Sequence, residues 1–201
     1  MARPRYDVTL PVTTGGNHMK AIETFDHVGM VVKIYRDLYP ESPQDYGNTN
    51  LFLVANHRQF HVGRKGIACD GDTPKENKAD YHVLPLIAYI HSGVALSLRH
   101  DGYPFNDHWD SGQVGWVLVR KRYGFRNIRN AAESLVQEWN SYLSGECYGY
   151  VVELPDGTDL DSCWGFTGDI KYCIAEAKRA AEACAQHEAR EDSRIAEVCA
   201  L

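Results

Sequence analysis

The residues best suited to chemistry are concentrated in the run from Asn106 to Trp116. Eleven positions there contain two carboxylates, an imidazole, two indoles and two glycines. Two shorter segments have a similar composition, His91-Ser92-Gly93 upstream and Asp161-Ser162-Cys163-Trp164 downstream. We expect these three motifs to form one surface built from strand ends and turns. The residues predicted to bind a ligand or partner there are His91, Ser92, Asp107, His108, Trp109, Asp110, Ser111, Gln113, Trp116, Asp161 and Trp164.

A cysteine–histidine pair is one catalytic interpretation of the motifs. Cys163 is the candidate nucleophile, with His91 or His108 as its base. Ser-Cys-Trp at this position superficially resembles the motif of papain-like proteases. In those enzymes, however, the cysteine opens a long helix, whereas Cys163 is predicted to end a hairpin strand. In an enzyme, the working residues are expected to be His91, His108, Asp110 and Cys163.

Two further chemistries can be drawn from the same side chains. Ser92 or Ser111 with a histidine and an aspartate of the motifs would form a serine triad, although no Gly-x-Ser-x-Gly elbow is present. The histidines and aspartates together offer mixed nitrogen and oxygen ligands for a metal. Nothing in their spacing fixes such a site, so we predict neither a metal nor another cofactor.

A structural interpretation stays open beside these. Aspartate and serine side chains bond nearby backbone amides at turns, and glycine supplies positive φ. Trp109, Trp116 and Trp164 would then fill the core beneath the turns. The three motifs contain more polar and aromatic residues than turns require, so a ligand or partner site stays a possible interpretation.

Composition and charge narrow the class of protein. The 201 residues are 44% hydrophobic and 24% charged, as in an ordinary globular protein. A formal net charge of −6 argues against general nucleic-acid binding, because affinity for phosphates is built on lysine and arginine. No apolar segment resembles a secretory signal or reaches membrane-spanning length, and the six cysteines contain no Cys-x-x-Cys pair. We therefore expect a cytoplasmic protein, off the membrane, with reduced thiols.

The pattern of apolar residues predicts an α+β fold, with a mostly antiparallel β-sheet of five to seven strands packed against two long helices in the C-terminal half. One helix is predicted from Asn127 to Leu143, capped by Asn127 and stopped by Gly145, and a second begins after Asp169. We expect a single domain over residues 1–201, with a mobile loop near 63–80 and a C-terminal helical extension at 169–200. Strands are predicted within 1–12, 28–35, 51–55, 83–90, 94–98 and 116–119, and in a hairpin at 147–164.

The motifs also carry a resemblance. Leu-Pro-Leu-x-x-Tyr-x-His-Ser-Gly at 84–93, Trp-Asp-Ser-Gly-Gln-Val-Gly at 109–115 and Asp-Ser-Cys-Trp-Gly-Phe-x-Gly-Asp at 161–169 resemble a protein family of bacteriophages, prophages and other mobile elements. That family has no assigned activity, so the resemblance gives no residue a role. It implies the setting of a small accessory protein, a class that often blunts host defences.

Two functions follow as hypotheses. The first is a protein that binds and inhibits a bacterial host defence complex, of CRISPR or restriction type, through the surface around the indoles, because indoles are favoured interface anchors. The second is a small cytosolic enzyme, a hydrolase or nucleotide-modifying protein, that uses the convergent titratable residues.

Overall fold

A computed structural model describes residues 20–45, 48–58, 60–63, 79–99, 105, 107 and 109–199. The strand predicted within 1–12 and most of the loop predicted near 63–80 lie outside these residues. The predicted α+β class is confirmed, with antiparallel strands and two long helices in the C-terminal half. The strands divide between a four-stranded and a five-stranded sheet. In the described part of the chain, no helix is long and apolar enough to cross a membrane.

Two of the described strands are absent from the sequence prediction, and two others begin earlier than predicted. The unpredicted strands are Glu23–His27 and His61–Gly63. The strand predicted at 83–90 begins at Tyr81, and the one predicted at 116–119 begins at Ser111. In chain order the elements are β1 (Glu23–His27), β2 (Met30–Arg36), β3 (Leu51–Asn56), β4 (His61–Gly63), β5 (Tyr81–Ile90), β6 (Val94–Leu98), β7 (Ser111–Arg120), a 3-10 helix (Lys121–Tyr123), α1 (Ile128–Ser144), β8 (Cys147–Glu153), β9 (Asp159–Thr167) and α2 (Ile170–Cys199).

The chain divides into two compact units. Of the described residues, 41–144 form the first unit, whose sheet has the strand order β4-β3-β7-β5-β6 and packs against α1. The described residues 20–40 and 145–199 form the second unit, whose sheet has the order β1-β2-β8-β9 and packs against α2.

Helix α1 begins and ends where its sequence signals predict. The Asn127 side chain accepts a hydrogen bond from the backbone N–H of Asn130 at 3.0 Å, which caps the first turn. Gly145 follows the last turn with φ +72°, the left-handed conformation typical of a helix stop. Between these ends, Leu135, Val136 and Trp139 are buried against the five-stranded sheet, as an amphipathic stripe requires.

The edge strand β6 is closed by a side chain of α1. Asn140 accepts a hydrogen bond from the Leu96 N–H at 2.7 Å and donates one to the Leu96 carbonyl at 2.9 Å. An amide side chain carries one acceptor and two donors, so it can replace a neighbouring strand at one residue. Asn140 therefore satisfies backbone groups that an edge strand otherwise leaves open to another chain.

The second unit is built from two hairpins and a long helix. Asp156 and Gly157 form the tight turn between β8 and β9, where the Leu154 N–H donates to the Thr158 carbonyl at 2.8 Å. The Asp169 carboxylate accepts the Lys171 N–H at 2.9 Å and caps α2, as predicted. Helix α2 then continues without a break to Cys199.

The turn between β1 and β2 contains an unusual backbone conformation. Val28 has φ +48° and Gly29 has φ +82°. Two consecutive positive φ values characterise the type I′ turn that matches hairpin twist. Glycine adopts this conformation freely, but a β-branched valine there is strained.

Candidate functional site

The first two motifs meet in the first unit through one hydrogen bond. Nδ1 of His91 lies 2.9 Å from Oδ2 of Asp110. His91 follows the end of β5 and Asp110 precedes the start of β7, and these antiparallel strands pair Tyr89 with Ser111. The Ile90 N–H also donates to the Asp110 carbonyl at 2.7 Å. The strand register thus places the imidazole beside the carboxylate.

Asp107 holds the turn that presents this carboxylate. One oxygen of Asp107 accepts the N–H groups of Trp109 and Asp110, at 2.8 and 3.3 Å. The Ser111 hydroxyl donates to the Asp107 carbonyl oxygen. Asp107 and Ser111 therefore act as turn locks, the role that short polar side chains have beside backbone amides. A hydroxyl engaged in this way is not poised against a histidine as a nucleophile.

Two aromatic rings extend the site along β5. The Tyr89 ring stacks near His91 with a centroid distance of 6.3 Å, and Phe105 stacks on Tyr89 at 5.6 Å. Tyr89 precedes His91 by two residues, the spacing that places side chains on one face of a strand. That spacing is the signal by which Tyr89 could have been added to the predicted site, whereas Phe105 offers none.

The histidine–aspartate pair is open to solvent. The His91 side chain is 67% exposed and that of Asp110 is 38% exposed. Asp110 engages Nδ1, and no described residue bonds to Nε2. A carboxylate that engages one ring nitrogen orients the imidazole and leaves the other nitrogen for a ligand or a proton. The pair can therefore act as a hydrogen-bonding anchor or as a general base.

Comparison with protein-family models, with curated proteins and with solved structures finds no match for this chain. The resemblance to mobile-element proteins therefore stays a prediction, and the geometry of the site carries the functional argument.

The three indoles of the motifs have different surroundings. Trp109 is 97% exposed, so the expectation that it fills the core beneath the turn is wrong. Trp116 is only 7% exposed and packs with Phe52, Val54 and Leu118 on β3 and β7. Its ring N–H has no hydrogen-bond partner in the described part of the chain. Trp116 is thus a core residue, which removes it from the predicted binding surface.

The remaining predicted residues of the first unit lie on either side of the pair. Ser92 is exposed in the turn between β5 and β6, and Gln113 is exposed on β7. The register between β5 and β7 shifts after Gln113, so Val114 has no partner on β5. Such a bulge re-aims the side chains that precede it. His108 lies outside the described residues.

The third motif belongs to the second unit and lies within β9. Trp164 pairs with Gly149 of β8, and its ring lies 5.9 Å from that of Tyr35. A Cβ added to Gly149 would overlap the indole, so the ring packs flat against the backbone of the sheet. Trp164 is 38% exposed in this position. Its packing gives the indole a structural role and leaves one part accessible.

Asp161 and Cys163 lie beside Tyr150 of β8. The Tyr150 hydroxyl donates to Asp161 at 3.3 Å, and Tyr150 pairs with Cys163 across the strands. Burial, followed by the charge of Asp161, raises the pKa of Tyr150 to about 12. The Cys163 thiol contacts the Trp164 carbonyl at 3.9 Å, and His187, the histidine that follows it in sequence, pairs with Glu188. Cys163 therefore has no histidine base among these contacts of the second unit.

In the part of the chain that the structure describes, no three His, Cys, Asp or Glu side chains lie close enough together to hold a metal ion.

The candidate site is the exposed turn that carries the His91–Asp110 pair. We define the turn surface as His91, Ser92, Trp109 and Asp110.

Proposed function

We propose that the protein binds a partner protein through the turn surface. The observation that carries this proposal is the 97% exposure of Trp109 on a turn locked by Asp107. An exposed indole has only two side-chain rotations to lose on binding, and it can bury a large apolar area. His91 and Asp110 beside it supply polar groups, the arrangement of an apolar anchor with a polar rim.

The partner proposed from the resemblance is a bacterial host defence complex of CRISPR or restriction type, which the protein inhibits by contact. The acidic balance of the chain supports a protein partner over direct competition for DNA, because a net charge of −6 repels phosphates. A cytoplasmic location accompanies this proposal.

Binding to purified CRISPR effector and restriction complexes, with DNA cleavage as the readout, tests the proposal. We expect the protein to bind at least one such complex and to suppress its cleavage. Trp109→Ala should weaken that binding by at least ~30-fold, the effect of truncating an interface hot spot. Tyr123→Ala is the matched control, since Tyr123 is 59% exposed in the same unit but outside the turn surface. Unimpaired binding by Trp109→Ala would refute the role of the turn surface.

The choice of partner has its own test. In bacteria that carry the defence system, a mobile element lacking this protein should lose fitness, and in undefended bacteria it should not. If its fitness is indifferent to the deletion in every defended host, and no complex is bound in vitro, the inhibitor proposal is wrong.

The His91–Asp110 hydrogen bond favours an enzyme as the second candidate. A carboxylate on Nδ1 is the arrangement that prepares an imidazole as a general base. The proposed working residues are His91, His108, Asp110 and Cys163. Two observations weigh against this candidate: the Ser111 hydroxyl is engaged by the backbone, and the cavities described below share no lining residue with the pair. If His91→Ala and Cys163→Ala both retain full biological activity, the enzyme proposal fails.

A further inference from the structure

Two neighbouring cavities lie in the first unit between α1 and the segment that leads into β3. One has a volume of about 160 Å³ and the other about 300 Å³. Pro43, Asn48, Leu51 and Leu135 line both of them. Because they share these walls, we treat them as parts of one space and call it the α1 cavity. It is separate from the turn surface, and the inference below does not rest on the proposed function.

Helix α1 contributes one continuous stripe to this cavity. Ala131, Ser134, Leu135 and Glu138 line it at steps of three, one and three residues, which lie on one face of a helix. Phe125 closes the apolar wall. Ligand sites combine a mainly apolar lining with a few placed polar groups, and this volume is at the small end of their range. The cavity therefore fits a ligand of about one aromatic ring.

Glu138 is the charged group of the cavity. Burial raises the pKa of its carboxyl, and no described residue forms a hydrogen bond or ion pair with it. Glu133, five residues earlier on the same helix, is paired with Arg129 at 2.9 Å. A partly buried carboxylate without a partner is costly, and a bound cation removes that cost.

Asn48 adds a second polar group. Its side-chain oxygen already accepts the N–H groups of Asn50 and Leu51, at 2.9 and 3.2 Å. These two bonds fix the orientation of the amide and leave its NH₂ group to donate. The Glu138 carboxylate and the Asn48 NH₂ group thus offer an anionic acceptor and a neutral donor beside the apolar residues of the lining.

We propose that the α1 cavity binds a small organic cation, in which a protonated amine pairs with the Glu138 carboxylate and an apolar ring packs on Leu135 and Phe125. The proposal rests on the Glu138 carboxylate, which has no partner among the described residues and lies beside apolar side chains.

The test is an NMR titration of the full chain with 2-phenylethylamine and, separately, with the neutral 2-phenylethanol. We expect millimolar amine to shift the backbone amide signals of residues 131–138. The alcohol should bind about 10-fold more weakly, because its hydroxyl can donate to the carboxylate but carries no positive charge. Glu138→Gln should reduce amine affinity to that of the alcohol. Glu133→Gln is the matched control and should bind the amine as the parent does. Ala131→Leu, which adds side-chain volume to the wall, should weaken both probes.

Three results would overturn the proposal. These are absence of shifts at residues 131–138 with either probe, equal affinity for the amine and the alcohol, or unchanged amine binding in Glu138→Gln. None of them bears on the turn surface, which is tested by Trp109→Ala.

Discussion

Removal of the Asn140 amide should destabilise the first unit, because this side chain closes the edge strand β6. The amide makes two hydrogen bonds to Leu96, at 2.7 and 2.9 Å, and Leu96 is only 3% exposed. Each bond contributes about 1 kcal/mol net, and a buried backbone group left without a partner costs about 1–3 kcal/mol. Asn140→Ala should therefore lower the free energy of unfolding by roughly 2–4 kcal/mol. That is a large fraction of the ~5–15 kcal/mol typical of a whole protein.

Urea denaturation followed by tryptophan fluorescence measures this effect, since Trp139 is buried one residue before Asn140. Asn130→Ala is the matched control on an exposed position of the same helix and should change stability by no more than ~0.5 kcal/mol. Asn140→Asp separates the two bonds, because a carboxylate accepts from the Leu96 N–H but cannot donate to its carbonyl. Its deficit should shrink at acidic pH, where protonation restores a donor. Equal stability of Asn140→Ala and Asn130→Ala would refute the role of the amide.

Three further perturbations test the second unit. Val28→Asn should stabilise it by about 1 kcal/mol, since the left-handed conformation suits asparagine and Val28 is 53% exposed; a loss of stability in urea denaturation would contradict the strain argument. Gly149→Ala should cost about 1–3 kcal/mol by displacing the Trp164 ring, and a double-mutant cycle with Trp164→Leu should show that removing the indole relieves part of that cost. Because the folded-state pKa of Tyr150 is about 12 against the usual 10, its contribution to stability is complete below pH 10 and is lost as the pH rises toward 12. Tyr150→Phe should remove the part of the alkaline stability loss that comes from this hydroxyl. An unchanged dependence of the free energy of unfolding on pH would contradict that role of Tyr150.

The sequence predicted a helix or turn well where the residues that determine it lie within one short segment. The boundaries of α1 follow from its apolar stripe and from Asn127 and Gly145 at its ends. The turn at Asp156-Gly157 is equally local. Strand β1 was not predicted because none of its residues is buried, so its sequence has no apolar pattern. It belongs to the sheet because it pairs with β2, and such a pairing cannot be recognised from the sequence of β1 alone.

The candidate site could be predicted in its residue types but not in its geometry. His91 and Asp110 are 19 residues apart in the chain, and their hydrogen bond depends on the register of β5 against β7. The bulge at Val114 shifts that register within the motif. Trp109 and Trp116 stand in the same motif, yet one precedes the strand and is exposed while the other lies within it and is buried. The predicted strand also began at Trp116 instead of Ser111, and strand boundaries are what sequence patterns define least well.

The described geometry separates two features that an enzyme usually combines. The His91–Asp110 pair offers proton-transfer chemistry on an exposed turn, and the α1 cavity offers a half-open, largely apolar space with its own carboxylate. They have no residue in common. General acid–base catalysis requires the proton-transfer group within hydrogen-bond reach of a bound substrate. In the described part of the chain neither of the two cavities is lined by this pair, so a substrate held there would need a wall supplied by another molecule. For this reason we keep partner binding as the first proposal for the turn surface and catalysis by this chain alone as the second.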